Sequence, residues 1–82
     1  MTVEIEYSLP RPLAPSDWQV HMAEQIETNQ GIPIEEITRT LRGHTLIVSV
    51  ETTLPDEAVE NMLSDIEDHL PQGCEHVETR EV

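Results

Sequence analysis

Lysine and phenylalanine are both missing from this chain of 82 residues, and each absence rules something out. Without lysine, positive charge rests on Arg11, Arg39, Arg42 and Arg80 against 17 carboxylates, giving a formal net charge of −13. A field of that sign repels phosphate backbones and anionic bilayers, which argues against direct nucleic-acid binding and against a membrane partner. Without phenylalanine, Tyr7 and Trp18 are the only aromatic rings. The core must therefore be aliphatic, and a base-stacking platform of the kind RNA-binding sheets use is not available.

Cysteine is reduced to Cys74 alone, so no intrachain disulfide forms and nothing points to an oxidising compartment. No apolar run approaches the ~18 residues of a membrane span, and no hydrophobic signal region stands near the first residue. These absences predict a cytoplasmic protein, or one carried in a virion assembled there. Glycine is confined to Gly31, Gly43 and Gly73, too scattered for a phosphate-cradling loop.

What is present is aliphatic and patterned. Ile, Leu and Val occur seven times each, about a quarter of the chain, which exceeds the ~20% below which high charge goes with disorder. The length fits one domain over residues 1–82.

Residues 2–9 alternate strictly, with Val3, Ile5, Tyr7 and Leu9 on one side and Thr2, Glu4, Glu6 and Ser8 on the other, as a half-buried strand does. Pro10, Pro12 and Pro15 force a loop. Ser16 with Gln19 has the form of a capping box, and Trp18, Met22 and Ile26 recur at helical spacing, so a helix is expected over 16–29, stopped by Gly31 and Pro33. From Ile34 the period becomes two. Ile37, Arg39 and Leu41 share a face with Leu46, Val48 and Val50 if Arg42-Gly43-His44 makes a tight hairpin turn. A second cap at Thr53-Leu54-Pro55-Asp56 opens a helix with the stripe Val59, Met62, Leu63, Ile66 and Leu70, ended by Pro71 and Gly73. Cys74–Val82 reads as a last strand, with Val77 and Val82 its apolar residues.

That order predicts an α+β domain of ferredoxin-like β-α-β-β-α-β topology: a four-stranded antiparallel sheet with two helices on one face and the second hairpin strand in the middle. The uncovered face would then show Thr2, Glu4, Glu6, Thr38, Thr40, Thr45, Ile47 and Ser49. Solvation alone accounts for Thr and Glu there. The functional alternative is a docking or self-association face centred on Ile47.

The second helix carries Asp56, Glu57 and Glu60 at its start, where the dipole favours them. Asp65, Glu67 and Asp68 oppose the dipole near its end, and no lysine or arginine is spaced to balance them. Salt adaptation or a surface for a basic partner would account for them, although 13 Glu against 4 Asp runs against a halophile. The expected partner-binding set is therefore Glu4, Glu6, Thr38, Thr40, Ile47, Ser49, Asp65 and Asp68.

His69, Cys74 and His76 carry zinc-ligating atoms, but their spacing lacks the paired form of structural zinc motifs, so no metal is expected. One Cys among several His residues shows no nucleophile, base and oxyanion arrangement, and no cofactor motif appears. His21 and His44 read as a helix-surface residue and a turn residue. Arg39, placed on the core side, is expected to pair with acids on a covering helix. The chain thus reads as a non-enzymatic interaction or assembly module acting through its open sheet face or its edge strands, as a homo-oligomer or on a protein partner. The alternative is an acidic mimic of nucleic acid, of the kind a virus encodes, that blocks a basic nucleic-acid-binding protein. A small-ligand-binding or catalytic domain comes third.

Overall fold

The structure, a computed structural model, describes residues 1–14, 17–52 and 55–82. Its elements run β1 (Thr2–Ser8), α1 (Asp17–Gln30), a 3-10 turn (Ile34–Glu36), β2 (Ile37–Arg42), β3 (Thr45–Glu51), α2 (Pro55–Glu67) and β4 (Glu75–Glu81). The four strands form one antiparallel sheet in the order β2-β3-β1-β4. Both expected helix caps rest on Ser16 and Thr53, which lie outside the described residues.

The alternation in β1 and β3 sets the core. Antiparallel pairing places Val3 opposite Val50, Ile5 opposite Val48 and Tyr7 opposite Leu46, and all six are buried on the same side of the sheet. Met22, Ala23 and Ile26 of α1, Met62 and Ile66 of α2, and Leu9, Ile32 and Ile37 join that one cluster. Burying each such aliphatic side chain contributes roughly 1.5–3 kcal/mol, and truncating one to alanine costs about 2–5 kcal/mol. Slipping the register by one residue would turn Glu4 and Glu6 inward, so the pattern itself holds the pairing.

The hairpin closes on Arg42 and Thr45 with Gly43-His44 as its two-residue loop. Gly43 takes φ +59 and His44 does not take positive φ, the combination of a type II′ turn with glycine first. His44 does more than turn the chain. Its carbonyl accepts the Leu9 N–H at 2.7 Å, and its Nδ1 lies 3.1 Å from the Leu9 carbonyl, so that nitrogen carries the proton. The hairpin tip is thereby tied to the end of β1.

Two differences from the sequence reading concern the second half. Leu70 lies beyond α2, in a closing turn where His69 and Leu70 donate to the carbonyls of Ile66 and Glu67 at 3.1 and 3.2 Å, although its side chain still packs on the core. Val77 and Val82, the apolar residues of the last strand, are both exposed. For Val77 the cause is a bulge: Glu6 pairs with Glu78 and Tyr7 with His76, which leaves Val77 unpaired, while Val82 lies past the end of β4. No helix among the described residues is long and apolar enough to cross a membrane.

Candidate functional site

The sheet face turned away from the core assembles two cross-strand rows. One runs Thr38, Ser49, Glu4, Arg80; the other runs Thr40, Ile47, Glu6, Glu78. Six of the eight residues expected to bind a partner therefore meet on one surface. A shallow hollow of about 330 Å³ lies over Glu4, Thr38, Thr40, Arg42, Ile47 and Ser49. Ile47 is the one apolar side chain in the two rows and is half-buried between hydroxyls and carboxylates.

Sequence spacing did not reveal the role of Arg80. Its Nη1 donates to Glu6 at 3.0 Å and to Glu78 at 2.8 Å, and its Nε to Glu4 at 3.4 Å. The carboxylates of Glu6, then Glu78 and Glu4, hold the guanidinium above its ordinary pKa. One cation is shared by three anions, so this side of the face keeps a negative excess.

Asp65 and Asp68 are not part of that surface. Asp65 is 5% exposed at the seam between α1 and α2, so it is no docking residue. Its Oδ1 accepts from Gln25 Nε2 at 2.9 Å and Asn29 Nδ2 at 2.8 Å, and its Oδ2 from Gln30 at 3.5 Å. Gln25 also donates to Asp68 at 3.2 Å, and its Oε1 accepts from His69 Nε2 at 2.7 Å. Glu67 in turn accepts the Tyr7 hydroxyl. Carboxylates that oppose the helix dipole are thus held by amide, imidazole and phenol donors from neighbouring elements. Gln25 and Asn29 stand four apart on one face of α1, but that spacing does not name Asp65 as their shared partner.

His69, Cys74 and His76 do not converge. His69 is turned to Gln25, while His76 Nε2 lies 2.8 Å from Thr79 Oγ1 and its ring 5.5 Å from that of Tyr7. Among the described residues no group of three or more ligating side chains is arranged for a metal ion. Burial, then the charge of Glu67, pushes the Cys74 thiol up from its ordinary pKa.

Arg39 sits on the core side opposite Val48, as the alternation requires, but it forms no ion pair with an acid among the described residues. Its Nη1 reaches the carbonyl of Ile37 at 3.3 Å, and its Nε is buried with no acceptor.

Two further depressions flank the core. One of about 560 Å³ lies among Asn29, Gln30, Glu36, Glu51 and Asn61. The other, about 250 Å³, is formed by Val3, Asp56, Val59, Thr79 and Glu81 between α2 and β4. The chain matches no family model, no curated protein and no solved structure.

Proposed function

We propose that the protein is a non-enzymatic interaction module that holds a basic protein segment across the open face of its sheet. The observation that carries this reading is the pair of cross-strand rows in which Ile47 offers an apolar anchor, Thr38, Thr40 and Ser49 offer hydroxyls, and Glu4, Glu6 and Glu78 outnumber Arg80 and the neighbouring Arg42. An apolar centre inside a polar rim is the common composition of a docking surface, and the acid excess selects a partner of opposite charge.

The reactive side chains favour the same class. His44, His69 and His76 are engaged with Leu9, Gln25 and Thr79, and the raised pKa of Cys74 disfavours its nucleophilic thiolate. The nucleic-acid-mimic reading has less support, because Asp65, one of the carboxylates that suggested it, is buried at the helix seam, and Glu67 is engaged by the Tyr7 hydroxyl. The frame is best read as ferredoxin-like: β1 and β3 are central, and each helix joins a central strand to an edge strand.

A peptide alternating arginine and valine, titrated into the labelled protein, tests the proposal by backbone NMR. The amides of Thr38, Thr40, Ile47 and Ser49 should shift, and Ile47→Glu should remove the response. Shifts confined to helix acids such as Glu24 and Glu60, or an unaltered response in the variant, would reject it.

A further inference from the structure

We propose that the protein also associates with copies of itself, the free edge of β4 in one copy adding antiparallel to the free edge of β2 in the next. This goes beyond the binding of a basic partner and rests on different atoms.

Backbone parity shows which groups each edge offers. The two-residue hairpin makes Arg42 and Thr45 a hydrogen-bonded pair, so Thr38, Thr40 and Arg42 turn their backbone to β3 while Arg39 and Leu41 turn theirs outward. On the other edge, Val82 donates to the Thr2 carbonyl at 2.8 Å, so Glu78 and Arg80 face β1 while Thr79 and Glu81 face outward. Each edge therefore presents two successive residues with free N–H and C=O groups. An antiparallel ladder joining them pairs Thr79 with Leu41 and Glu81 with Arg39 of the next copy. The helix-covered faces then lie on the same side.

Charge selects this register. β2 carries Arg39 and Arg42 and no acid, whereas β4 carries Glu75, Glu78 and Glu81 against one arginine. Pairing Glu81 with Arg39 also brings Glu78 opposite Arg42, so both arginines of β2 meet a carboxylate. Joining two β2 edges about Arg39 would set that residue against its own copy. Joining two β4 edges would gather six glutamates. The bulge at Val77, which would disturb a longer ladder, falls past the end of β2 in this register.

The side-chain environment agrees. Arg39 has a buried Nε with no acceptor and forms no ion pair with a described residue. Beside Glu81 on the matching face lies the cleft between Val3, Val59, Asp56, Thr79 and Glu81. The partly exposed Val59 suits the apolar stem of an arginine, and the two carboxylates suit the guanidinium. The contact is head-to-tail, so it repeats: the sheet continues from copy to copy until the twist closes a ring or runs on as a filament.

The test is sedimentation of the whole chain at about 0.15 M salt, where the screening length of about 8 Å weakens the repulsion between highly acidic copies. Wild type should associate with rising concentration. Arg39→Glu and Glu81→Arg, each alone, set like charges together and should raise the dissociation constant about tenfold or more. Mixing the two variants restores opposite charge at every junction between unlike copies and should recover most of the wild-type association. That recovery also shows that both variants are folded. Wild type remaining monomeric up to about 1 mM, the weak end of useful affinity, would overturn the proposal. So would a Glu81→Arg protein that associates as strongly as wild type, or folded variants that fail to complement.

Discussion

The hydroxyl of Tyr7 donates to Oε2 of Glu67 at 2.9 Å, a bond that joins the buried face of the sheet to the last turn of α2. Burial first, and then the hydrogen bond and charge of Glu67, hold the phenol well above its ordinary pKa near 10.0. The folded chain thus keeps a proton that the unfolded chain releases in alkali. The stability tied to this phenol is complete below pH 10 and falls as pH rises beyond it, by up to about 1.4 kcal/mol per pH unit. Tyr7→Phe should cost about 0.5–1.5 kcal/mol at neutral pH and flatten the alkaline loss. Because Tyr7 is the only tyrosine, tyrosinate absorbance read beside circular dichroism checks this directly. Ionisation well before unfolding would contradict it.

Cys74 follows the same sign. Burial and Glu67 raise its pKa from the ordinary 9.0, so its share of stability is present below pH 9 and declines above it. Iodoacetamide should modify the native thiol more slowly than a free cysteine at pH 8, since only the thiolate reacts. Glu67→Gln removes the second of the two causes and should speed the reaction. Mass spectrometry of timed samples reads both rates.

Asp65 provides a stability test with an internal control. Asp65→Ala removes a buried acceptor of Gln25 and Asn29, and bonds to a charged group are worth about 1.5–3 kcal/mol, so the urea midpoint should fall clearly. Asp68→Ala removes one exposed bond from Gln25 and should cost no more than about 1 kcal/mol. Equal losses for the two would mean that the α1–α2 seam is held by its aliphatic residues rather than by the polar network.

The contrast between these two aspartates shows what the sequence could and could not tell. The periods of Val3-Ile5-Tyr7, of Leu46-Val48-Val50 and of Met62-Ile66 are local, and each reports a buried face without knowledge of the rest of the chain. The open-face residues Glu4, Glu6, Thr38, Thr40, Ile47 and Ser49 follow from the same alternation, which is why they were brought together. Asp65 depends on residues 36 and 40 positions away, and no periodicity carries that information. The bulge at Val77 was equally hidden: an extra residue in β4 is visible only against the register of β1. Arg39 lay between these cases. Its face was readable, but the lack of an ion pair with a described acid was a fact of three dimensions.

Arg80 decides how firmly β4 is held against β1. It is the shared partner of Glu4, Glu6 and Glu78, so Arg80→Gln leaves three carboxylates side bare to one another across the ladder. Their repulsion should open the end of the strand first. The Val82 amide, which donates to Thr2, should then exchange with deuterium faster than in wild type. The difference should be large at ~0.01 M salt, where the screening length is about 30 Å, and small at ~1 M, where it is about 3 Å. Adding Glu6→Gln should recover part of the protection, because Glu6 is the carboxylate nearest the centre of the cluster by row and binds Nη1 at 3.0 Å. Exchange that rises equally at both salt concentrations would show that Arg80 holds β4 through its aliphatic stem and its packing, with charge secondary.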